Sequence, residues 1–230
     1  MDKLVRNIEI PLAKHRIEKA GLYIVPKERL EELSQTAADA YQDYPLHNWL
    51  TKGTYDPVAS KLIMKATLAA MVEDAVIYAD SDALNGFAVW LPMGFTGSKT
   101  IPFLKNGGIQ LLMHSGLGIV GKLLTYETFA MELKKKYTGH VDWYLYNLSV
   151  RKDAQGKGIA RKLLQPMLTF CDDEKMNIYL ETNKESNVFL YEHFAFELRE
   201  TNQVPKSSVK HYAMVRSPQR RKGEAQVDPE

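Results

Sequence analysis

One stretch constrains the fold of this chain more than any other. Val141 to Val150 is β-branched and aromatic enough to be a central strand. Arg151 to Gly158 is a polar, glycine-bearing loop, and Ile159, Leu163 and Met167, with Ala160, Leu164 and Leu168, then mark a helix face. A strand that runs through a glycine loop into a helix is a device for holding phosphate. The first N–H groups of a helix have no partner within the helix, and its dipole places partial positive charge there. Gly156 and Gly158 have no Cβ, so the chain can turn tightly and an anion can approach the amides, while Lys157 adds charge.

The rest of the chain supplies the elements around that device. Leu22–Val25 reads as a short strand stopped by Pro26, followed by a helical pattern from Lys27 to Tyr41. Tyr41–Leu50 is aromatic and irregular, and Pro45 is expected to break any helix there. Asp56-Pro57 is a good helix start. Ala75–Tyr78 and Phe87–Leu91 read as a hairpin, and Pro92–Thr100 as a connection. Ile101–Tyr137 is expected to hold two helices, the second being Tyr126–Leu133. The most apolar region, Ile109–Leu124, reads as buried or loop-flanked helix. Further strands are expected at Asn177–Glu181 and Val209–Arg216, with a short helix at Ser186–Phe194 between them. Beyond Pro218 the chain is polar, which predicts a disordered tail.

Composition removes several function classes. With 30 basic and 28 acidic side chains the net charge is +2, without the excess of a nucleic-acid or membrane-surface binder. Lys134–Lys136 reads as a solvated helix end, so no nucleic-acid or membrane partner is expected. The single cysteine, Cys171, excludes an internal disulfide and agrees with a cytoplasmic location. It reads as a small buried hydrophobe, a nucleophile being the alternative. The six histidines show no paired spacing that would suggest zinc, so no metal is expected. The start lacks a secretory signal, and no stretch approaches the roughly 18 to 20 apolar residues that span a bilayer.

The loop lacks the Gly-x-x-x-x-Gly-Lys-Ser/Thr of a P-loop and the full Gly-x-Gly-x-x-Gly of a dinucleotide fold. Gln155-Gly156-Lys157-Gly158-Ile159-Ala160 instead resembles the Gln/Arg-x-x-Gly-x-Gly/Ala signature of the GNAT acetyltransferase superfamily. A second part lies downstream, where Leu180-Glu-Thr182, Asn187, Tyr191 and Phe194-Ala-Phe-Glu197 look like that family's linked pattern. The resemblance covers about residues 140–216. Leu180-Glu-Thr182 and Pro166 look like the branch containing puromycin N-acetyltransferase. Pro166 either kinks the helix or ends it near Gln165. Ala195 departs from the pattern, standing where the family usually has glycine, which puts the local turn in question.

The resemblance implies a fold, a donor and roles. The fold would be one α/β domain over residues 1–216, a mixed, mainly antiparallel sheet flanked by helices and splayed where the cofactor enters. The donor would be acetyl-CoA, its pyrophosphate held by the amides from Gly156 to Ala160 beside Gln155. Leu148, Ser149 and Val150 would run along the pantetheine arm, with Asn187 beside it. A backbone N–H near Leu148 would stabilise the oxyanion. Tyr191 would protonate the departing thiolate, since a phenol of pKa about 10 can donate at neutral pH. It lies four residues from Asn187 on one helix face, and an ordinary inward-facing aromatic is the alternative. Glu181 would accept the amine's proton, with Asp142 and His140 behind it, or would only fix the neighbouring loop by hydrogen bonds. Tyr41 and Tyr44, with Asp43 and Trp49, would line the acceptor pocket or else pack in the core. The reaction implied is direct acetyl transfer to a primary amine, of a small molecule rather than a protein lysine. A non-catalytic acyl-CoA-binding sensor or scaffold is the rival, and a homodimer is left open.

Overall fold

The structure, a computed structural model, describes residues 2–51, 53–93, 99–137 and 139–219. Most of the expected tail and the middle of the Pro92–Thr100 connection lie outside these residues. Seven strands form one sheet: β1 (Tyr23–Ile24), β2 (Val76–Ala79), β3 (Gly86–Pro92), β4 (Trp143–Val150), β5 (Ile178–Thr182), β6 (Glu197–Gln203) and β7 (Lys210–Arg216). Their order is β1-β2-β3-β4-β5-β7-β6, and every neighbouring pair is antiparallel except β4 with β5. The helices are α1 (Asp2–Lys19), α2 (Leu30–Ala40), α3 (Pro45–Leu50), α4 (Pro57–Met71), α5 (Thr100–Phe103), α6 (Ile109–Ser115), α7 (Leu117–Lys135), α8 (Ile159–Asp173) and α9 (Glu185–Glu192). This is the mixed, mainly antiparallel sheet flanked by helices that the sequence predicts.

Alternate residues of a strand point to opposite faces, and both faces here are covered. Trp143, Leu145, Ile178 and Leu180 pack with Leu163, Met167 and Phe170 of α8 and with Ala13 and Ile17 of α1. Tyr144, Tyr179, Ala213 and Val215 pack on the other face with Leu33 and Ala37 of α2 and Met64 and Leu68 of α4. A third cluster joins Leu46 and Leu50 of α3, Ile63 of α4, Leu111 of α6 and Ile119 of α7 to Val204 and Val209 beside the β6–β7 turn. Trp143 is fully buried, and truncating it to alanine would cost about 3–5 kcal/mol.

Several elements depart from the sequence reading, each for a physical reason. Pro45 starts α3 instead of preventing it, because proline at the first helical position gives up an N–H that has no partner there anyway. The helix α8 continues through Pro166 to Asp173, held by the buried row Leu163, Leu164, Met167, Leu168, Phe170 and Cys171. The helix predicted at Tyr126–Leu133 begins already at Leu117, where Gly116 at φ +75° turns the chain out of α6. Only a stripe of the apolar Ile109–Leu124 region is buried, through Leu111 and Ile119, whereas Met113 is 81% and Leu117 78% exposed. Helix α1 and the edge strand β6 are additional. Pro11 interrupts the first, and the second is too polar to show a strand pattern. Ala195 keeps the left-handed turn at φ +63°, so the missing glycine leaves strain and not a different path.

Candidate functional site

The site begins where β4 and β5 part. Their parallel pairing runs only from Trp143↔Ile178 to Leu145↔Leu180, although β4 continues to Val150 and β5 to Thr182. On its other side β4 stays paired with β3 as far as Val150↔Gly86. In that ladder Val89 opposes Asn147 and Trp90 opposes Leu145, so Tyr146 is the extra residue of a β-bulge. The bulge redirects β4 and leaves its edge beyond Leu145 without a strand partner. That edge borders a cavity of about 460 Å³, the splay expected at the cofactor site.

At one end of the cavity lies the glycine loop. Gln155 Nε2 donates to the Val150 carbonyl at 3.0 Å and Arg151 N to the Asn85 carbonyl at 2.8 Å, which ties the loop to both neighbouring strands. Gly156 and Gly158 sit at φ +76° and +79°, and no atom lies within 4 Å of where a Cβ would be. Glycine is required here by backbone conformation, not by lack of room. Gly158 is the N-cap of α8, and no side chain caps it. The first helical bond is Lys162 N to the Gly158 carbonyl at 3.0 Å, so the preceding amides are left for an external acceptor. Gly158, Ile159, Ala160 and Arg161 all line the cavity. Nearby Asp153 is neutralised by Arg151, 2.5 Å away. The donors, the helix dipole and the local charge all fit a diphosphate.

Across from the loop, α9 presents Asn187 and Tyr191 to the same cavity. Asn187 Nδ2 donates to Thr182 Oγ1 at 3.1 Å. Tyr191 is buried and packs edge-on to Phe196 with centroids 5.7 Å apart. Burial, then the nearby Tyr44 and Tyr41, push its phenol well above the ordinary value, so it keeps its proton at neutral pH. Tyr41 and Tyr44 arrive from the end of α2 and the turn before α3. Tyr41 Oη accepts from Asn147 Nδ2 on the bulge. Tyr44 Oη lies 3.2 Å from Thr182 Oγ1 and accepts from Asn183 N at 2.9 Å.

Glu181 lies on the opposite face of the sheet from Leu180 and Thr182, beside Tyr144 and Tyr179. It accepts from Tyr144 Oη at 2.8 Å and Tyr179 Oη at 3.0 Å. His211 Nε2 of β7 lies 3.4 Å from Glu181 Oε2, near enough to attract but not aligned as a hydrogen bond. Burial raises the Glu181 pKa, but His211 and the two phenols outweigh it and hold the carboxyl below its ordinary value. Tyr191 and Glu181 thus stand on opposite faces of the sheet, and the gap between β4 and β5 joins them.

The cavity gathers residues predicted from widely separated segments: Tyr41, Tyr44, Leu148, Val150, Gln155, Gly156, Gly158, Ile159, Ala160, Glu181, Asn187 and Tyr191. Ser149 is instead buried and donates to Asn147 Oδ1 at 2.9 Å, and Lys157 is exposed outside the lining. Asp142 binds Asn177 N at 2.7 Å at the far end of β4, and neither it nor His140 lines the cavity. Asp43 pairs with Lys152 at the surface, and Trp49 packs beneath Lys122. Cys171 is buried in α8, its thiol pushed up by burial, so the nucleophile reading has no support in its surroundings. Sequence reasoning missed Tyr146, Thr182 and His211 in these roles. The alternation of Tyr144 and Tyr146 on an aromatic strand was a usable signal for the first, and His211 offered none.

Comparison with known proteins agrees with this geometry. Residues 124–218 match the family described as acetyltransferase (GNAT) domain. An uncharacterized N-acetyltransferase of Schizosaccharomyces pombe is 27% identical over 177 residues, 72% of this chain and 70% of the relative. Among solved structures, a Corynebacterium glutamicum protein described as histone acetyltransferase HPA2 and related acetyltransferase has a TM-score of 0.58 at 14% identity. The match covers 87% of this chain and 97% of that one. The polyamine N-acetyltransferase of Drosophila melanogaster has a TM-score of 0.54 at 14% identity, covering 85% and 98%. At such identities the likeness to solved structures is one of fold. Residues 124–218 thus resemble a GNAT acetyltransferase domain, and the chain is an acyl-CoA-dependent acetyltransferase.

Proposed function

We propose that the protein moves an acetyl group from acetyl-CoA to a primary amine of a small molecule, with donor and acceptor bound together. The observation that carries this reading is the open edge of β4. It has an uncapped helix start at one end and a carboxylate on the far side of the gap. Acetyl-CoA supplies an activated acetyl group as a thioester. The chain's own residues do the rest. Amides from Gly156 to Ala160 bind the diphosphate, and the β4 edge at Leu148 and Val150 aligns the arm as an added strand would. A backbone N–H near Leu148 stabilises negative charge at the carbonyl oxygen. Glu181, ionised because its pKa is depressed, attracts the ammonium and accepts its proton directly or through one water. Tyr191, protonated because its pKa is raised, donates to the departing sulfur.

Leu180-Glu181-Thr182 and Pro166 within α8 support a place near the puromycin N-acetyltransferase branch. The packing of α3, α4, α6 and α7 on the β6–β7 turn supports a single domain over 1–216. The lone, buried Cys171 agrees with a cytoplasmic location. An assay of thiol release from acetyl-CoA over a panel of amines, with product mass as readout, tests the activity. Acetylated amine is the expected product. Tight binding of acetyl-CoA without turnover on any amine would instead make the chain an acyl-CoA sensor.

A further inference from the structure

His211 stands beside the gap and has no task in the transfer step described above. In the β5–β7 ladder Glu181 opposes Ala213, and His211, two residues along β7, points to the same face of the sheet. Ala213 offers only a methyl group, so the carboxylate and the imidazole meet diagonally, with Nε2 3.4 Å from Oε2. The imidazole is fully buried, and Tyr126 and Phe129 of α7 pack against it at centroid distances of 6.2 and 5.3 Å. Neither ring nitrogen has a hydrogen bond. Buried polar groups are ordinarily paired, and an unpaired one facing a reacting group points to a role in the chemistry.

The two oxygens of Glu181 have unequal surroundings. A carboxylate offers about four lone-pair directions, two on each oxygen. Oε2 accepts from Tyr179 Oη at 3.0 Å and also faces His211, whereas Oε1 accepts from Tyr144 Oη at 2.8 Å. Oε2 is thus taken on both sides, and Oε1 keeps a lone pair for an incoming donor. The remaining ionisable groups near Glu181 are Tyr126 and Glu127 of α7, Tyr44 before α3 and Tyr146 of the bulge. Lys134 of α7 sits over the Tyr144 ring, 5.0 Å from its centroid. Burial works against the charge on Glu181, and His211 opposes that effect ahead of the Tyr144 and Tyr179 hydroxyls.

Building on the acetyl-transfer reading above, we infer that His211 is a positioning residue of that reaction: it holds the Oε2 side of Glu181, with Tyr179, and leaves Oε1 as the atom that takes the ammonium proton. The proton passes from the amine nitrogen to Oε1, and the nitrogen keeps the electron pair with which it attacks the thioester carbonyl. His211 itself touches neither substrate. Without it the carboxylate loses its main counterweight to burial and holds a proton to higher pH, when it can no longer act as a base.

The test uses the full chain, acetyl-CoA and the amine of the panel that turns over fastest, with kcat/KM followed from about pH 6 to about pH 9. His211→Phe fills the same space between Tyr126 and Phe129 without a ring nitrogen. It should lower kcat/KM about tenfold at the acid end and less than about threefold at the alkaline end. His211→Gln keeps an N–H donor and should recover part of the acid-side loss. A loss of the same size at every pH, or an unchanged profile in His211→Phe, would overturn the inference alone. No thiol release by the parent chain with any amine would overturn the acetyl-transfer reading and this inference with it. A second readout does not need turnover: in the full chain labelled with nitrogen-15 histidine, Glu181→Gln should shift the ring signals of His211, identified by their absence in His211→Phe. Unmoved signals would mean that the two side chains do not interact, and would overturn the inference too.

Discussion

The two sides of the gap between β4 and β5 are built by different means. On the donor side, from β4 through the glycine loop into α8, the binding groups are backbone amides. Their positions follow from φ angles at Gly156 and Gly158, within one short stretch of chain. On the acceptor side the groups are side chains: Tyr41, Tyr44, Tyr146 and Glu181, brought by the end of α2, the turn before α3, β4 and β5. A backbone site tolerates most side-chain changes and fails when its backbone is forced. A side-chain site keeps its fold through substitution and changes what it binds.

The sharpest separation is expected at Tyr191, which touches both sides. Tyr191→Phe should lower kcat by on the order of 10²–10⁴-fold, the range for loss of a general acid, while the Kd for coenzyme A moves by less than about threefold. Turnover near the parent value would remove Tyr191 from the proton transfer and leave it as packing against Phe196. The next effect belongs to the backbone site. Gly158→Val puts a β-branched residue at φ +79°, and it should weaken coenzyme A by on the order of 100-fold in calorimetric titration. Lys157→Ala in the same loop is exposed and should cost only about two- to fivefold. Equal losses in the two variants would mean that side-chain charge, not backbone, holds the anion.

This contrast also explains what could be read beforehand. The donor side was legible because its device is local: a β-rich run, two glycines and an amphipathic helix, in order. Tyr191 and Asn187 came from the family resemblance, and their four-residue spacing agrees with it by placing both on one helix face. The acceptor side was legible only in part. Tyr41, Tyr44 and Glu181 were expected and do line the cavity, yet nothing in the sequence joins His211 to Glu181. That pairing comes from β5 lying antiparallel to β7, a long-range contact that no local pattern encodes. The sequence places the start of α7 at Tyr126 because the glycines at 118 and 121 hide its first turns. Likewise α1 and β6 were missed, because Pro11 and a polar edge hide their periodicity. Pro45 and Pro166 misled by the same route, since local propensity lost to helix-start geometry in one case and to a buried face in the other.

Two smaller effects separate the sides by stability. Ala195→Gly should stabilise the fold by about 1 kcal/mol in denaturant unfolding, because alanine now occupies a left-handed position at φ +63°. Destabilisation would mean that the methyl group is held by packing that outweighs the strain. Glu181 has a folded pKa below its unfolded value of about 4.3. Its stabilising contribution is therefore complete above that value and disappears as pH falls through the lower folded one. Glu181→Gln should flatten that acid limb of the stability curve, a change that no substitution in the glycine loop should reproduce.

A crystal structure with coenzyme A bound tests the central claim most directly. The account predicts the diphosphate oxygens within hydrogen-bond distance of amides between Gly156 and Ala160, and the pantetheine arm along the β4 edge at Leu148 and Val150. Coenzyme A lodged in any other crevice, with those amides facing only solvent, would contradict it.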